Sequence, residues 1–352
     1  MEQDSNHTEG FPNVPAPPRP MAAKPVPVYL PPSEPQKRKG SFIGGVLRYI
    51  FMLVFLLSIV MNFYLFMLIG AGEIMESEYR KGSGAEKIAL IDLKGIINLQ
   101  SAYDFREMLE KAAADDAVKG VVIVVNCPGG YVSPSNMMNK YVRDFKEQTG
   151  KKIYSATEML NASGAYWTTA GTDKMFAQEN AMVGSIGVIY QSFVVQKLME
   201  EKLGVMPIVR KSSKSPFKDT GSMFRMPTET DEAEIKKKLD KVHERFVAVV
   251  SEGREGLTAE EVWPLATGEV FDGQEALEKK LIDAVGFLDD AINDMIDVLG
   301  LTNPRVVRYV QPPSLREMLS AKAEASENPL DIEAQLAKLA EMPRIQALWM
   351  GN

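Results

Sequence analysis

A chain of 352 residues has room for one sizeable domain with appendages or for two small ones, and 45% apolar with 25% charged residues is ordinary globular composition. The formal net charge of −7 gives no reason to expect nucleic acid as a partner, and no glycine-rich phosphate loop or zinc-type Cys/His spacing is present. A lone cysteine, Cys127, excludes an intrachain disulfide and leaves the redox compartment open.

Residues 1–40 carry ten prolines and few core-forming side chains, so they are expected to stay disordered or PPII-like, as a spacer or a docking tail on the cytoplasmic side. Residues 41–72 are the membrane segment and its flanks. Tyr49–Ile69 is apolar on every face and is about the length needed to cross a bilayer core of roughly 30 Å. It starts too late and runs too long for a cleaved signal peptide. Lys37, Arg38, Lys39 and Arg48 precede it and Glu73, Glu76 and Glu78 follow, so the positive-inside rule predicts a cytoplasmic N-terminus and an extracytoplasmic C-terminal part, in a single-pass protein of the inner or plasma membrane.

After a Gly/Ser hinge at Gly82–Gly84, strands and helices alternate. Ile88–Leu93 reads as a strand, Ser101–Ala114 as an amphipathic helix, and Gly120–Val125 as a strand buried on both faces. A Pro128-Gly129-Gly130 turn follows, then a helix over Ser135–Gln148 and strands at Lys152–Ala156, Lys174–Ala177 and Val183–Tyr190. Gln196–Lys202 reads as helical and Pro207–Lys211 as a strand. This rhythm predicts an α/β fold with a largely parallel sheet. A long helix from Glu229 to Gly253 starts on Thr228 with Asp231 three residues on, and buries Ile235, Leu239, Val242, Phe246 and Val249 along one face. Beyond Pro312 the chain loosens and ends in an apolar piece, Met342–Met350.

Ser163 lies among small residues where a loop meets a short helix. Two roles fit it there: a helix cap, or a nucleophile beside backbone N–H groups that favour developing negative charge. A Ser-His-Asp triad needs an imidazole within reach. His7 lies in the proline tail, and His243 directly follows a core position of the long helix and is expected on its surface. A serine nucleophile in this chain therefore calls for a lysine base. The loop Lys211–Asp219 offers Lys214 and Lys218. A free lysine, with pKa about 10.4, becomes a base only where burial lowers that value. Pro216 and Phe217 offer Lys218 apolar cover, whereas serines flank Lys214. Asp219 would oppose the role if it faced Lys218, and so must point elsewhere. The Pro128-Gly129-Gly130 segment sits at a strand's C-terminal end, where open α/β sheets place ligands. Cys127 beside it reads as a small buried residue.

Five pieces occur in order: Asn126-Cys-Pro-Gly-Gly130, Ala162-Ser-Gly164, Gly184-Ser-Ile-Gly-Val188, Lys218-Asp219, and Gly268-Glu-Val-Phe-Asp-Gly273 running on to Leu281-Ile-Asp283. From Lys87 to Asp290 the chain thereby resembles the signal peptide peptidase A family, membrane-bound Ser-Lys serine proteases on a Clp-protease/crotonase-like fold. The resemblance implies Ser163 as nucleophile, Lys218 as general base, Ser185 as the serine orienting that lysine, and Gly130 as the oxyanion-hole glycine. The Gly164 N–H is our addition to that hole. The serine-to-lysine spacing of 55 residues is slightly long for the family, which keeps Lys214 in view. Ala165 stands where the family usually has a second glycine.

The resemblance further implies a single-copy protease domain at 73–302, with no metal and no organic cofactor. Its substrates would be remnant signal peptides or similar apolar peptides, cut by a ring-shaped homo-oligomer whose sites combine neighbouring subunits. The C-terminal extension, 303–352, would include a piece able to occupy the enzyme's own groove. Two other function classes share features with this chain. A crotonase-like acyl-CoA enzyme has the fold, but the membrane segment and the lack of a glutamate pair in the oxyanion turns oppose it. A catalytically inactive scaffold would bind membrane peptides without needing Ser163 or Lys218. A stomatin-operon-type membrane protease is a nearer alternative.

Overall fold

The computed structural model describes residues 42–69, 74–310 and 345–348. The expectations for the proline-rich segment and for most of 303–352 fall outside these residues.

Helix α1 (Phe42–Ile69) forms, as far as Tyr64, a unit by itself. Its stretch Gly45–Leu65, 21 residues, is long and apolar enough to cross a membrane and is exposed throughout. The second unit begins with β1 (Met75–Arg80), β2 (Lys87–Ile97), α2 (Leu99–Ala114), β3 (Val118–Tyr131), α3 (Val132–Thr149) and β4 (Lys152–Ala162). Next come α4 (Gly164–Thr169), β5 (Lys174–Ala177), β6 (Met182–Gly184), β7 (Ile189–Tyr190) and a π-type turn at Leu198–Lys202. After α5 (Glu229–Gly253) follow α6 (Ala259–Val262), β8 (Val270–Phe271), α7 (Gly273–Glu278), β9 (Ala284–Val285), α8 (Leu288–Leu299), β10 (Arg305–Val310) and β11 (Ile345–Leu348).

The main path of the sheet runs β1-β10-β2-β3-β4-β5-β9, and along it every pairing is parallel except that of edge strand β1 with β10. The α/β fold with a largely parallel sheet is therefore present. Alternation along β2 and β3 explains its two faces. Ala89, Ile91, Leu93, Val121, Ile123 and Val125 pack under Phe105 and Leu109 of α2 and Met138, Val142 and Phe145 of α3. The intervening Ile88, Leu90, Val122 and Val124 pack against Ile292 and Met295 of α8. A third cluster joins Tyr166 and Trp167 of α4 to Phe246, Val247 and Val250 of α5. Capping boxes start α2 at Asn98 and α5 at Thr228 with Asp231.

Three elements differ from the sequence reading. Pro128-Gly129-Gly130 is no strand-exit turn: β3 continues through it to Tyr131, with Ile97 of β2 opposite Gly130. The expected strand 183–190 is split, because Ser185 takes a left-handed conformation (φ 49°) that no strand accommodates. The expected strand 207–211 is absent. Its β-branched residues, Ile208 and Val209, are exposed, so the run has strand propensity but no ladder to join.

Candidate active site

The sheet creates the site by losing a strand. β4 pairs with β3 as far as Cys127↔Asn161 and with β6 as far as Ala162↔Gly184, and then ends. Past that point the lane between β3 and β7 holds β11. Its backbone runs antiparallel to β3 (Gln346↔Tyr131, Ala347↔Gly130, Leu348↔Gly129) and to β7 (Ile345↔Tyr190, Gln346↔Ile189). Ser163 is the first residue after β4, at the mouth of this lane.

Ser163 has φ 55° and ψ −118°, a conformation costly for any residue with a Cβ. Both of its backbone groups are fixed. Its N–H donates to the Gly184 carbonyl at 2.8 Å, and its carbonyl accepts from Trp167 N–H at 2.9 Å. Its side chain makes no capping hydrogen bond, so the cap role is not taken up. Helix α4 behind it is wholly buried and tied down on several sides. Tyr166 Oη donates to the Leu281 carbonyl at 2.7 Å, Asn139 Nδ2 donates to the Trp167 carbonyl at 2.9 Å, and Asn161 Nδ2 donates to Thr169 Oγ1 at 3.0 Å. The Trp167 and Phe246 rings meet at 4.7 Å. The serine is thus held by a rigid platform.

Gly130 lies on the lane's β3 wall. An ideal Cβ there would fall 2.2 Å from the Ile97 carbonyl oxygen, so only glycine fits this approach of β2 to β3. Cys127 braces the irregularity just before it, its thiol donating to the Gly95 carbonyl at 3.0 Å and accepting from Gly129 N–H at 3.4 Å. Burial pushes that thiol up to about 12, which makes it a structural group rather than a nucleophile. On the opposite wall, Ser185 follows Gly184 and is nearly buried, and its N–H donates to the Glu269 carbonyl at 2.7 Å. β8 also pairs with β6, which explains why the Gly268–Phe271 piece accompanies the Gly184–Val188 piece.

Ser163, Gly164, Ser185 and Gly130 are therefore gathered around one strand end. The lysines are not joined to them. Lys218 sits in a turn, its N–H donating to the Ser215 carbonyl at 3.2 Å, and its side chain is exposed, as is that of Lys214. Phe217 is itself 47% exposed and supplies none of the expected cover. Among the described residues no hydrogen bond or ion pair connects either lysine to Ser163 or Ser185. Asp219 pairs with Lys211 and Arg225, and among the described residues no ion pair joins it to Lys218. His243 packs edge-on against Trp263 at 5.1 Å and takes no part, half-buried rather than on the open surface of α5. Among the described residues no three His, Cys, Asp or Glu side chains converge as metal ligands would.

A sequence profile of peptidase family S49 matches residues 145–302. The chain is 35% identical over 251 residues to a protein of Enterococcus faecium named as a signal peptide peptidase SppA, covering 68% of this chain and 72% of that one. It is 32% identical over 232 residues to a protein of Methanocaldococcus jannaschii named as a protease, covering 66% and 70%. This chain belongs to peptidase family S49. Another S49 relative, Protease 4 of Haemophilus influenzae, is 28% identical over 218 residues, which are 59% of this chain and 34% of that longer one. A mutant ClpP1 from Listeria monocytogenes aligns with 58% of this S49 chain at TM-score 0.39 and 14% identity. As an S49 member the protein is a peptidase of the signal peptide peptidase A type. The sequence motifs missed Asn139, Arg225 and the Cys127 brace. Asp231 was legible as a cap residue only.

Proposed function

We propose that the protein is a membrane-anchored Ser-Lys endopeptidase that cleaves remnant signal peptides or similar apolar segments bound as an extended strand. The observation that carries this reading is Ser163 itself, strained and uncapped at the point where β4 leaves its lane, with a strand already fitted to that lane. A substrate strand would take main-chain hydrogen bonds from β3 and β7 and place its scissile carbonyl at Ser163. Neutral Lys218, oriented by Ser185, takes the Ser163 hydroxyl proton as Oγ attacks. The N–H groups of Gly130 and Gly164 receive the oxyanion. The lysine then returns the proton to the leaving amine, and water releases the acyl group by the reverse relay.

Lys218 is exposed in its own protomer, and Phe193, Leu203, Met206, Ile208 and Val209 expose apolar surface on the same stretch of chain. Both features suit a ring in which one copy's loop docks on its neighbour and delivers Lys218 to that neighbour's Ser163. Docking would also supply the desolvation a lysine base needs. Helix α1 would span the membrane with the basic flank inside and the protease domain outside. β11, the family's self-binding tail in this reading, would compete with substrate.

Peptide cleavage by detergent-solubilised Ser163→Ala, Lys218→Ala and Lys214→Ala proteins tests the site. The first two are expected to be inactive and the third active. Mixing the two inactive proteins is expected to restore part of the activity, since an intact Ser163 then meets an intact Lys218 across an interface. Full activity in Lys218→Ala would overturn the mechanism, and no restoration on mixing would overturn the shared site.

A further inference from the structure

We propose that Lys211 and Arg225 are positioning residues that hold the Asp219 carboxylate away from Lys218 and so keep that lysine available as a base, an inference that rests on the Ser-Lys reading above. A carboxylate one residue from a lysine is a hazard to the mechanism. If the two pair, the ammonium form is favoured and fewer enzyme molecules carry a neutral base.

The fold removes the hazard by occupying both carboxylate oxygens. Asp219 Oδ1 accepts from Lys211 Nζ and from Arg225 Nη2 at 3.1 Å, and Oδ2 accepts from Arg225 Nε at 2.9 Å. Arg225 Nη2 also reaches the Asp219 carbonyl at 3.3 Å, so the guanidinium grips side chain and backbone together. The arginine is itself anchored. Its Nη1 donates to Asp231 Oδ2 at 2.6 Å, and Asp231 is buried at the start of α5, where Thr220 Oγ1, Thr228 Oγ1 and Thr228 N–H also donate to it. A relay of alternating charge, Lys211–Asp219–Arg225–Asp231, therefore runs from the lysine loop to a capped helix end. Glu232 and Lys236 of α5 line the cavity beside Arg225, and Lys214 is the remaining charged residue of the loop. Arg225 and Lys211 hold the Asp219 carboxyl well below the usual carboxylate range, so it stays charged and paired throughout the working pH range.

With Arg225 removed Asp219 Oδ2 loses its partner, with Lys211 removed Oδ1 keeps only the longer Arg225 Nη2 bond, and in either case Lys218 is the adjacent cation. Pairing raises the lysine's pKa, so the rate falls where the base is titrating and recovers at alkaline pH, where the lysine is neutral in either protein. The test is the pH dependence of kcat/KM for peptide cleavage by the full-length protein in detergent, for wild type, Arg225→Ala, Lys211→Ala and Arg225→Ala/Asp219→Asn. The rising limb is expected to move up by about one pH unit in both single variants, a roughly tenfold loss below the limb with the alkaline plateau kept. Asp219→Asn in the Arg225→Ala background is expected to return the limb to its wild-type position.

A purely structural role for the relay lowers the rate at every pH without moving the limb, and is not relieved by Asp219→Asn. That pattern overturns the proposal, as does an unmoved limb in Lys211→Ala if Arg225→Ala fails to fold. Lys218→Ala in the same assay separates the two levels: activity there sinks the Ser-Lys reading, whereas an inactive Lys218→Ala with an unmoved limb in the relay variants sinks only this inference.

Discussion

Replacing Gly130 by alanine tests the oxyanion role with a single methyl group. The added Cβ would lie 2.2 Å from the Ile97 carbonyl oxygen, 2.6 Å from its nitrogen and 2.8 Å from its carbonyl carbon, all of them backbone atoms that cannot swing aside. Van der Waals contact is restored only if β3 moves off β2 by about 1 Å, which carries the Gly130 N–H away from the position proposed for the oxyanion. Loss of one such donor costs about 10²–10³ in kcat, or about 2.7–4 kcal/mol of transition-state stabilisation. Overpacking the strand pair costs a further ~1–3 kcal/mol of stability, a separate effect that needs its own control. Gly150, the left-handed cap of α3 (φ 65°), provides it. Nothing lies within 4 Å of a Cβ there, so Gly150→Ala strains the backbone by ~1–2 kcal/mol far from the lane. Steady-state cleavage of an apolar fluorogenic peptide and thermal melts of both variants are the assay. Gly130→Ala is expected to lose kcat by at least a hundredfold, and Gly150→Ala to lose stability alone. A folded Gly130→Ala protein with wild-type kcat would refute the assignment.

Arg254, 4% exposed, makes a bidentate pair with Asp283 (2.7 and 2.9 Å), and Leu281 close by holds Tyr166 of α4. Arg254→Met is expected to cost about 3 kcal/mol in urea titration, the lower end for a broken buried pair because Asp283 is a third exposed. An unchanged midpoint would contradict this. Arg225 first, and then the Thr228 N–H, hold the Asp231 carboxyl well below the ordinary range. The stability this gives is present above the unfolded value near pH 3.9 and is lost as pH falls toward the folded one. Asp231→Asn should therefore melt lower at neutral pH and show a shallower fall of Tm in acid, and parallel curves would rule this out. Cys127, with its thiol pushed to about 12, is expected to react with iodoacetamide about a thousandfold more slowly in the native protein than in urea. Equal rates would mean that the brace on β3 is not closed.

What could be read from sequence was whatever depends on neighbours along the chain. The two-faced burial of Gly120–Val125, the Thr228 capping box and the apolar 49–69 run are local patterns, and each is present in the fold. β1 and β10 escaped notice because their pairing joins Met75 to Val310, and Met75–Arg80 has neither alternation nor a β-branched run to mark it. Pro128-Gly129-Gly130 misled for a physical reason: those residues mark turns, yet here glycine is needed for an approach of two backbones within a strand. Ser163 was locatable, but its left-handed φ was not, since that conformation is imposed by bonds to Gly184 and Trp167. Lys218 was nameable only from motif order, and its side chain is exposed in this chain.

The division of labour within the site follows from the same geometry. Ser163, Gly130 and Ser185 stand at strand ends whose backbones are fixed by the sheet, which suits the roles we propose for them as nucleophile, oxyanion donor and partner of the lysine. A lysine base has the opposite requirement. It must be wet while the protein matures, because a buried ammonium is costly, and dry when it works. An exposed lysine on a loop whose carboxylate is already bound elsewhere meets the first condition, and docking of that loop on a neighbour, as proposed, would meet the second. On the mechanism we propose, substrate and neighbour would close the site together, and the strained serine would gain its base only when there is a peptide for it to cut.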